Sequence, residues 1–261
     1  MPVFSANLTM LWPEISDPYE RFRAAANAGF SRVERLFVHD LDPLRIKELL
    51  EELTLELVLF DPYAGDWEAG ERGLLALPGR ESELRDTVFA AIDTARMLGV
   101  PRLNVLSGML PDGVDRQQAQ ETAVSNLKEL ATTARSEGIT LMVEPINDHD
   151  WPGYAIPAIA DALAVVRTVD HPNVGLQFDT YHIATKGDDI FACLGESIES
   201  IRHVQIADAP GRHQPGTGTL PLGRFLIRLD ELGYNGAVGL EYTPDGNTDA
   251  ALAWLDREAR R

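Results

Sequence analysis

Ile139-Thr140-Leu141-Met142-Val143-Glu144-Pro145-Ile146-Asn147 reads as a buried strand of five apolar or β-branched residues that ends on a carboxylate. Pro145 has no N–H to continue a ladder, so the chain must turn at once. A glutamate held at the carboxyl end of a parallel strand points into the space above the sheet. The question for the rest of the chain is what else it brings there.

Strand and helix patterns alternate on both sides of this stretch. Upstream, strands are expected over residues 3–8, 32–36, 55–60 and 102–106, with helices over 18–28, 43–53, 81–98 and 115–136. Asp17 and Asp42 are good N-caps, and each precedes a proline suited to a first helical turn. Downstream, strands are expected over 174–179, 201–206 and 237–241, and helices over 157–169, 188–194, 222–232 and 248–258. Eight strands, each followed by a helix, imply right-handed crossovers that close as a single (β/α)₈ TIM barrel spanning residues 1–261. Residues 61–80 form a loop long enough to suggest a functional role.

Active sites in such barrels sit at the carboxyl ends of the strands. Strand five ends in Glu144, strand six in Asp179, strand seven near Gln205 and strand eight in Glu241. Three converging carboxylates repel one another unless a cation lies between them. An all-oxygen ligand set of Glu144, Asp179, Gln205 and Glu241 favours a hard divalent cation, Mg²⁺ or Mn²⁺. Glu144 and Glu241 approach from opposite sides of the barrel axis. That arrangement suits removal of a proton beside a carbonyl by one carboxylate and its return by the other.

His182, three residues after Asp179, is placed to donate to a substrate oxygen, and His149 is close enough in sequence to Glu144 to line the site. His203 points inward one layer below Gln205. An acidic substrate needs arginines near so negative a first shell, and Arg72, Arg80 and Arg212 are the candidates.

The net charge of −18 disfavours nucleic acid and anionic membranes as partners. No apolar run is long enough for a membrane span and no signal peptide is evident. The one cysteine, Cys193, reads as a helix core residue and fits a reducing, cytoplasmic setting. The expected partner is a small hydroxy-oxo acid, and a homo-oligomer is compatible with the sequence.

At these residues the chain resembles the hydroxypyruvate isomerase family of xylose isomerase-like barrels, nearly end to end. The resemblance is carried by Phe4-Ser5-Ala6-Asn7-Leu8, Pro78-Gly79-Arg80-Glu81, Glu144-Pro145-Ile146-Asn147, Asp179-Thr180-Tyr181-His182, Gln205-Ile206-Ala207-Asp208, Pro215-Gly216-Thr217-Gly218 and Gly239-Leu240-Glu241-Tyr242. Its most specific part is Gly65-Asp66-Trp67, followed by Gly70-Glu71-Arg72-Gly73. It implies interconversion of hydroxypyruvate and 2-hydroxy-3-oxopropanoate, with Glu144 and Glu241 as the proton-transfer pair and Glu144, Asp179, Gln205 and Glu241 on the metal. In the related ketose 3-epimerases a histidine stands where this chain has Gln205. The chain departs from the family at Arg35, His39 and Asp61, which are expected to face the substrate, so a four-carbon 2-oxo-tetronate and an epimerase-like reaction stay open as alternatives.

Overall fold

The computed structural model describes residues 2–261, and its strands run parallel in one eight-stranded sheet ordered β3-β2-β1-β8-β7-β6-β5-β4. They are β1 (Val3–Asn7), β2 (Arg32–Glu34), β3 (Glu56–Leu57), β4 (Arg102–Asn104), β5 (Thr140–Val143), β6 (Val174–Asp179), β7 (Ile201–Ile206) and β8 (Ala237–Leu240). A parallel bridge between Phe60 and Leu103 joins the two ends of that order. The sheet therefore closes on itself as the (β/α)₈ barrel expected from the alternation.

Alternation along each strand divides the side chains between two layers. Leu141, Val143, Val204, Ile206, Val238 and Leu240 belong to the main core that also takes in the apolar faces of the helices. The intervening residues turn inward. Met142 and Ala237 meet Val58 and Leu59 in a small apolar cluster at the base, and above it the barrel is filled by polar groups. Helices α1 (Pro18–Asn27), α2 (Pro43–Leu53), α3 (Glu81–Leu98), α4 (Arg116–Ser136) and α5 (Ile159–Val169) follow the first five strands. Asp17, Asp42 and Asp115 cap their helices through the side chain. Among the described residues no helix is long and apolar enough to cross a membrane.

Three boundaries differ from expectation for local reasons. Strand β3 is short, but the chain runs on alongside it: Arg35 N donates to Leu59 O at 3.2 Å and Asn104 N to Phe60 O at 3.2 Å. After β6 a helix that was not foreseen, α6 (Thr180–Thr185), is capped by Asp179, whose Oδ1 accepts from Tyr181 N at 2.8 Å. It precedes α7 (Ile190–Ser197), where Cys193 is half-buried and its thiol is pushed up to about 11 by burial. Beyond α8 (Leu222–Glu231), the helix expected over 248–258 stops as α9 (Thr248–Ala251). The Arg260 guanidinium takes the carbonyls of Leu252 (2.9 Å) and Leu255 (2.7 Å), and the chain finishes as a 3₁₀ turn, Arg257–Arg260.

Gly239 in β8 is required by close approach. A Cβ there would lie 2.3 Å from Glu34 Oε1 and 2.5 Å from Oε2, a carboxylate held by Ser5, His203 and Gln205. Gly239→Ala is expected to destabilise the fold by about 1–3 kcal/mol, as overpacking does; a urea midpoint equal to that of the wild type would show that Glu34 is free to move aside.

Candidate active site

The upper end of the barrel presents a buried polar side chain from each strand or the segment that follows it. In order these are Asn7, Glu34, Asp61, Asn104, Glu144, Asp179, Gln205 and Glu241. Strand register sets them at similar height: Asn7 lies beside Glu34, and Asp179 beside Gln205. Glu144, Gln205 and Glu241 line the central cavity together with His182, Arg212, Trp67 and Trp151.

Each carboxylate is held from below or beside. Asn104 Nδ2 donates to Glu144 Oε2 at 2.8 Å. Asp179 spends one oxygen capping α6 and turns Oδ2 towards Arg212 Nη2, 3.4 Å away. The same Nη2 donates to Glu241 Oε2 at 3.0 Å. Arg212 thus lies between two of the acids, and its Nε, buried, has no hydrogen-bond partner. Its loop is set by Asp208, whose carboxylate accepts from Ala209 N, Gly216 N and Leu220 N at 2.8–2.9 Å. Arg212 itself has φ +55°, a left-handed conformation that a non-glycine residue adopts at a cost of about 1–3 kcal/mol.

Electrostatically the site is an acid store short of cations. Burial, reinforced by Asp179, pushes Glu144 up to about 8. Burial also carries Glu241 well above the usual carboxylate range, outweighing the opposing pull of Arg212, and raises Asp179 in the same way. Asp61 is raised strongly by burial and then by Glu144 and Glu34. Glu34 is the exception. Burial works against its charge, but His203, Gln205 and Ser5 win and its pKa is lowered. It accepts from Ser5 Oγ (2.7 Å) and Gln205 Nε2 (2.8 Å) and is bonded to His203 Nε2 (2.8 Å). With its amide nitrogen engaged below, Gln205 presents its oxygen on the other side, where Gln177 Nε2 donates at 2.6 Å.

His182 is neutral, its pKa lowered well below the usual range by burial and then by Arg212. Its tautomer follows from Asn147. Asn147 Oδ1 accepts from His149 N (3.1 Å) and Asp150 N (2.8 Å), so its Nδ2 faces His182 Nδ1 at 2.7 Å. Nδ1 must therefore accept, and the proton sits on Nε2. Glu144, Asp179 and His182 offer ligand atoms within 4.8 Å of one another, a spacing that suits a metal ion. With Nε2 protonated, His182 can donate to an oxygen, which leaves the carboxylates as the candidate ligands of a cation. The donor set fits a divalent ion: raised carboxylates face one guanidinium, and Asn104 Oδ1 and Gln177 Oε1 are buried without partners.

Several residues singled out in the sequence are placed elsewhere. Arg80 is divided between Glu71 (2.6 Å) and Glu83 (2.6 Å) and ties the long loop to the start of α3. Arg72 lies over the Trp67 ring, 4.1 Å from its centroid. His149 has its side chain 82% exposed and turns away from the site. Arg35 and Asp61 do line the central cavity, whereas His39 packs on Phe37 and Tyr63 outside it. Sequence reasoning passed over Asn7, Glu34, Asn104, Gln177, Asn147, Trp67 and Trp151 as site residues. For the first four, inward parity on a strand was the available signal; Asn147 and Trp67 lay within motifs of the family resemblance, and for Trp151, on a loop, there was no signal.

The xylose isomerase-like TIM barrel family model matches residues 22–258. Over 255 residues the chain is 40% identical to a 2-oxo-tetronate isomerase of Cupriavidus necator, covering 98% of each chain. It is 41% identical to a hydroxypyruvate isomerase of Escherichia coli over 253 residues, 97% of this chain and 98% of that one. A crystal structure from Brucella melitensis described as an AP endonuclease, family 2, superposes with a TM-score of 0.94 at 41% identity and 98% coverage of both chains.

One pH dependence follows from Glu144. Unfolded, it titrates near the ordinary carboxylate value; folded and cation-free, at about 8. Between those values the folded state binds more protons, so stability falls as pH rises. EDTA-treated protein should therefore lose melting temperature from pH 5 to 8 more steeply than its Glu144→Gln variant, and Mn²⁺ should restore more at pH 8 than at pH 6. Equal slopes in the two proteins would remove Glu144 as the cause.

Proposed function

The chain belongs to the xylose isomerase-like TIM barrel family, and from that premise we propose that it is a metal-dependent isomerase of a small hydroxy-oxo acid, interconverting hydroxypyruvate and 2-hydroxy-3-oxopropanoate. The observation that carries this reading is the pair of buried glutamates at the cavity, Glu144, raised by burial to about 8, and Glu241, raised by burial well above the usual carboxylate range, so that each can hold or release a proton. The names of the Escherichia coli and Cupriavidus necator relatives support the reaction class.

In this scheme the substrate lies across the barrel axis between the two glutamates. One takes a proton from the carbon bearing the hydroxyl, leaving an enediol-type intermediate. The other gives a proton to the former carbonyl carbon. The hydroxyl proton passes to the neighbouring oxygen, so no atoms or electrons are gained or lost. His182 Nε2–H donates to a substrate oxygen, held in that tautomer by Asn147. Arg212, with its free Nε, receives the carboxylate. Glu144, Asp179, Gln205 and Glu241 would hold the cation, Mg²⁺ or Mn²⁺ by the hardness of its ligands, which supplies positive charge to the oxygens as they become negative.

A four-carbon 2-oxo-tetronate is the second reading, favoured by the 40% identity to the Cupriavidus necator enzyme. The proton-transfer centre serves both substrates.

Glu144→Gln and Glu241→Gln are each expected to lower kcat/KM about 10²–10⁴-fold while retaining the far-ultraviolet circular dichroism of the wild type. EDTA should abolish turnover in the wild type and Mn²⁺ or Mg²⁺ should return it. Either variant at wild-type rate, in an assay of three- and four-carbon oxo acids, would refute the two-glutamate scheme.

A further inference from the structure

The stretch from Gly65 to Gly73 has no task in the proton-transfer scheme, yet it is held with unusual completeness. Asp66 Oδ1 accepts from Glu68 N (3.1 Å) and Ala69 N (3.0 Å), and Glu71 Oε2 accepts from Asp66 N at 2.6 Å. Glu71 is in turn clamped by Arg80. Gly73 N donates to Ala64 O at 2.8 Å, and Gly73 lies so close to the segment after β4 that a Cβ would be 2.3 Å from Leu106 O, at a φ of +128°. This framework carries one large side chain over the cavity, Trp67.

Trp67 does not stand alone. Its ring meets Trp151, from the loop after β5, edge to face with centroids 5.6 Å apart. Trp151 is backed by Tyr154 at 5.6 Å, and Trp67 by Phe37 at 5.1 Å. Arg72 lies over both indoles, 4.1 Å from the Trp67 centroid and 5.5 Å from that of Trp151, and its Nη1 donates to Trp67 O (2.8 Å) and Glu71 O (2.7 Å). The guanidinium thus binds ring faces and backbone at once, which fixes the two rings relative to each other. Both tryptophans line the central cavity, whose free volume is about 50 Å³. At about 10–15 Å³ per water on that measure, the space holds a few waters. A short acid can replace those waters; a longer chain requires lining side chains to move, and the two indoles are the largest of these.

We infer that Trp67 and Trp151, locked edge to face by Arg72, form a ceiling that limits the substrate to chains of about three or four carbons. The inference deepens the isomerase reading and rests on it for the identity of the substrate. It gives Arg72 a positioning role, acting through the indoles rather than by touching the substrate.

The test separates binding from turnover. Affinities of the Mn²⁺-loaded protein for glycerate, threonate, xylonate and gluconate are measured by titration calorimetry, alongside kcat/KM for three- and four-carbon oxo acids. The wild type should bind the three- and four-carbon acids and discriminate against the longer two. Trp67→Ala and Trp151→Ala should each raise the ratio of gluconate to glycerate affinity more than tenfold. Trp67→Leu and Trp151→Leu should do so to a smaller degree and guard against loss of fold. Arg72→Met should move the ratio in the same direction, and Arg72→Lys, which restores a cation over the rings, should bring it part of the way back. A gluconate to glycerate ratio within twofold of the wild type in all four tryptophan variants, with fold retained, overturns the ceiling. A wild type that turns over neither oxo acid while the tryptophan variants still change the length ratio overturns the isomerase reading and leaves the ceiling standing.

Discussion

Everything in the upper barrel follows from burying five carboxyl groups, Glu34, Asp61, Glu144, Asp179 and Glu241, away from bulk solvent. A buried carboxylate must be paired, hydrogen-bonded or protonated. All three outcomes occur. Glu34 is hydrogen-bonded by Ser5 and Gln205 and linked to His203, and its charge is favoured. Asp179 and Glu241 share one arginine. Asp61 and Glu144 are raised by burial and by their acidic neighbours. The result is a set of groups ready to release protons to a base or a cation, and that readiness is what the proposed chemistry uses.

The barrel makes this store tolerable by separating its two layers. The apolar layer between sheet and helices provides the burial that holds the fold, so the interior is free to carry groups that oppose it. Glu34 organises the polar interior. It sits against Gly239, where a side chain would have excluded it, and holds the Gln205 amide nitrogen, which leaves the Gln205 oxygen facing Gln177 Nε2. Its own charge does not take part in the proposed proton transfer; it decides what its neighbours can do.

The barrel and the four strand-end oxygen donors were legible because both depend on local signals. Alternating strands and helices predict the topology, and Glu144, Asp179, Gln205 and Glu241 stand at strand ends that hydrophobic runs and turns mark out. What could not be read depends on contacts between distant segments. Arg72, Arg80 and Arg212 look alike in sequence, but only Arg212 reaches the carboxylates, because Asp208 folds its loop back over the barrel, while Trp67 and Glu71 claim the other two. The tautomer of His182 is set by Asn147, 35 residues earlier. The short last helix is likewise a tertiary effect, since the Arg260 side chain occupies the carbonyls that would have continued it.

The measurement that bears most directly on the two-glutamate centre is the isotopic content of the product formed in D₂O. If Glu144 and Glu241 act on opposite sides, the proton removed and the proton delivered are different atoms, and the delivered one has come from solvent. Nuclear magnetic resonance or mass spectrometry of 2-hydroxy-3-oxopropanoate formed from hydroxypyruvate in D₂O should then show one deuterium at the newly protonated carbon in every product molecule. Product free of deuterium, as an internal hydride shift would give, contradicts it.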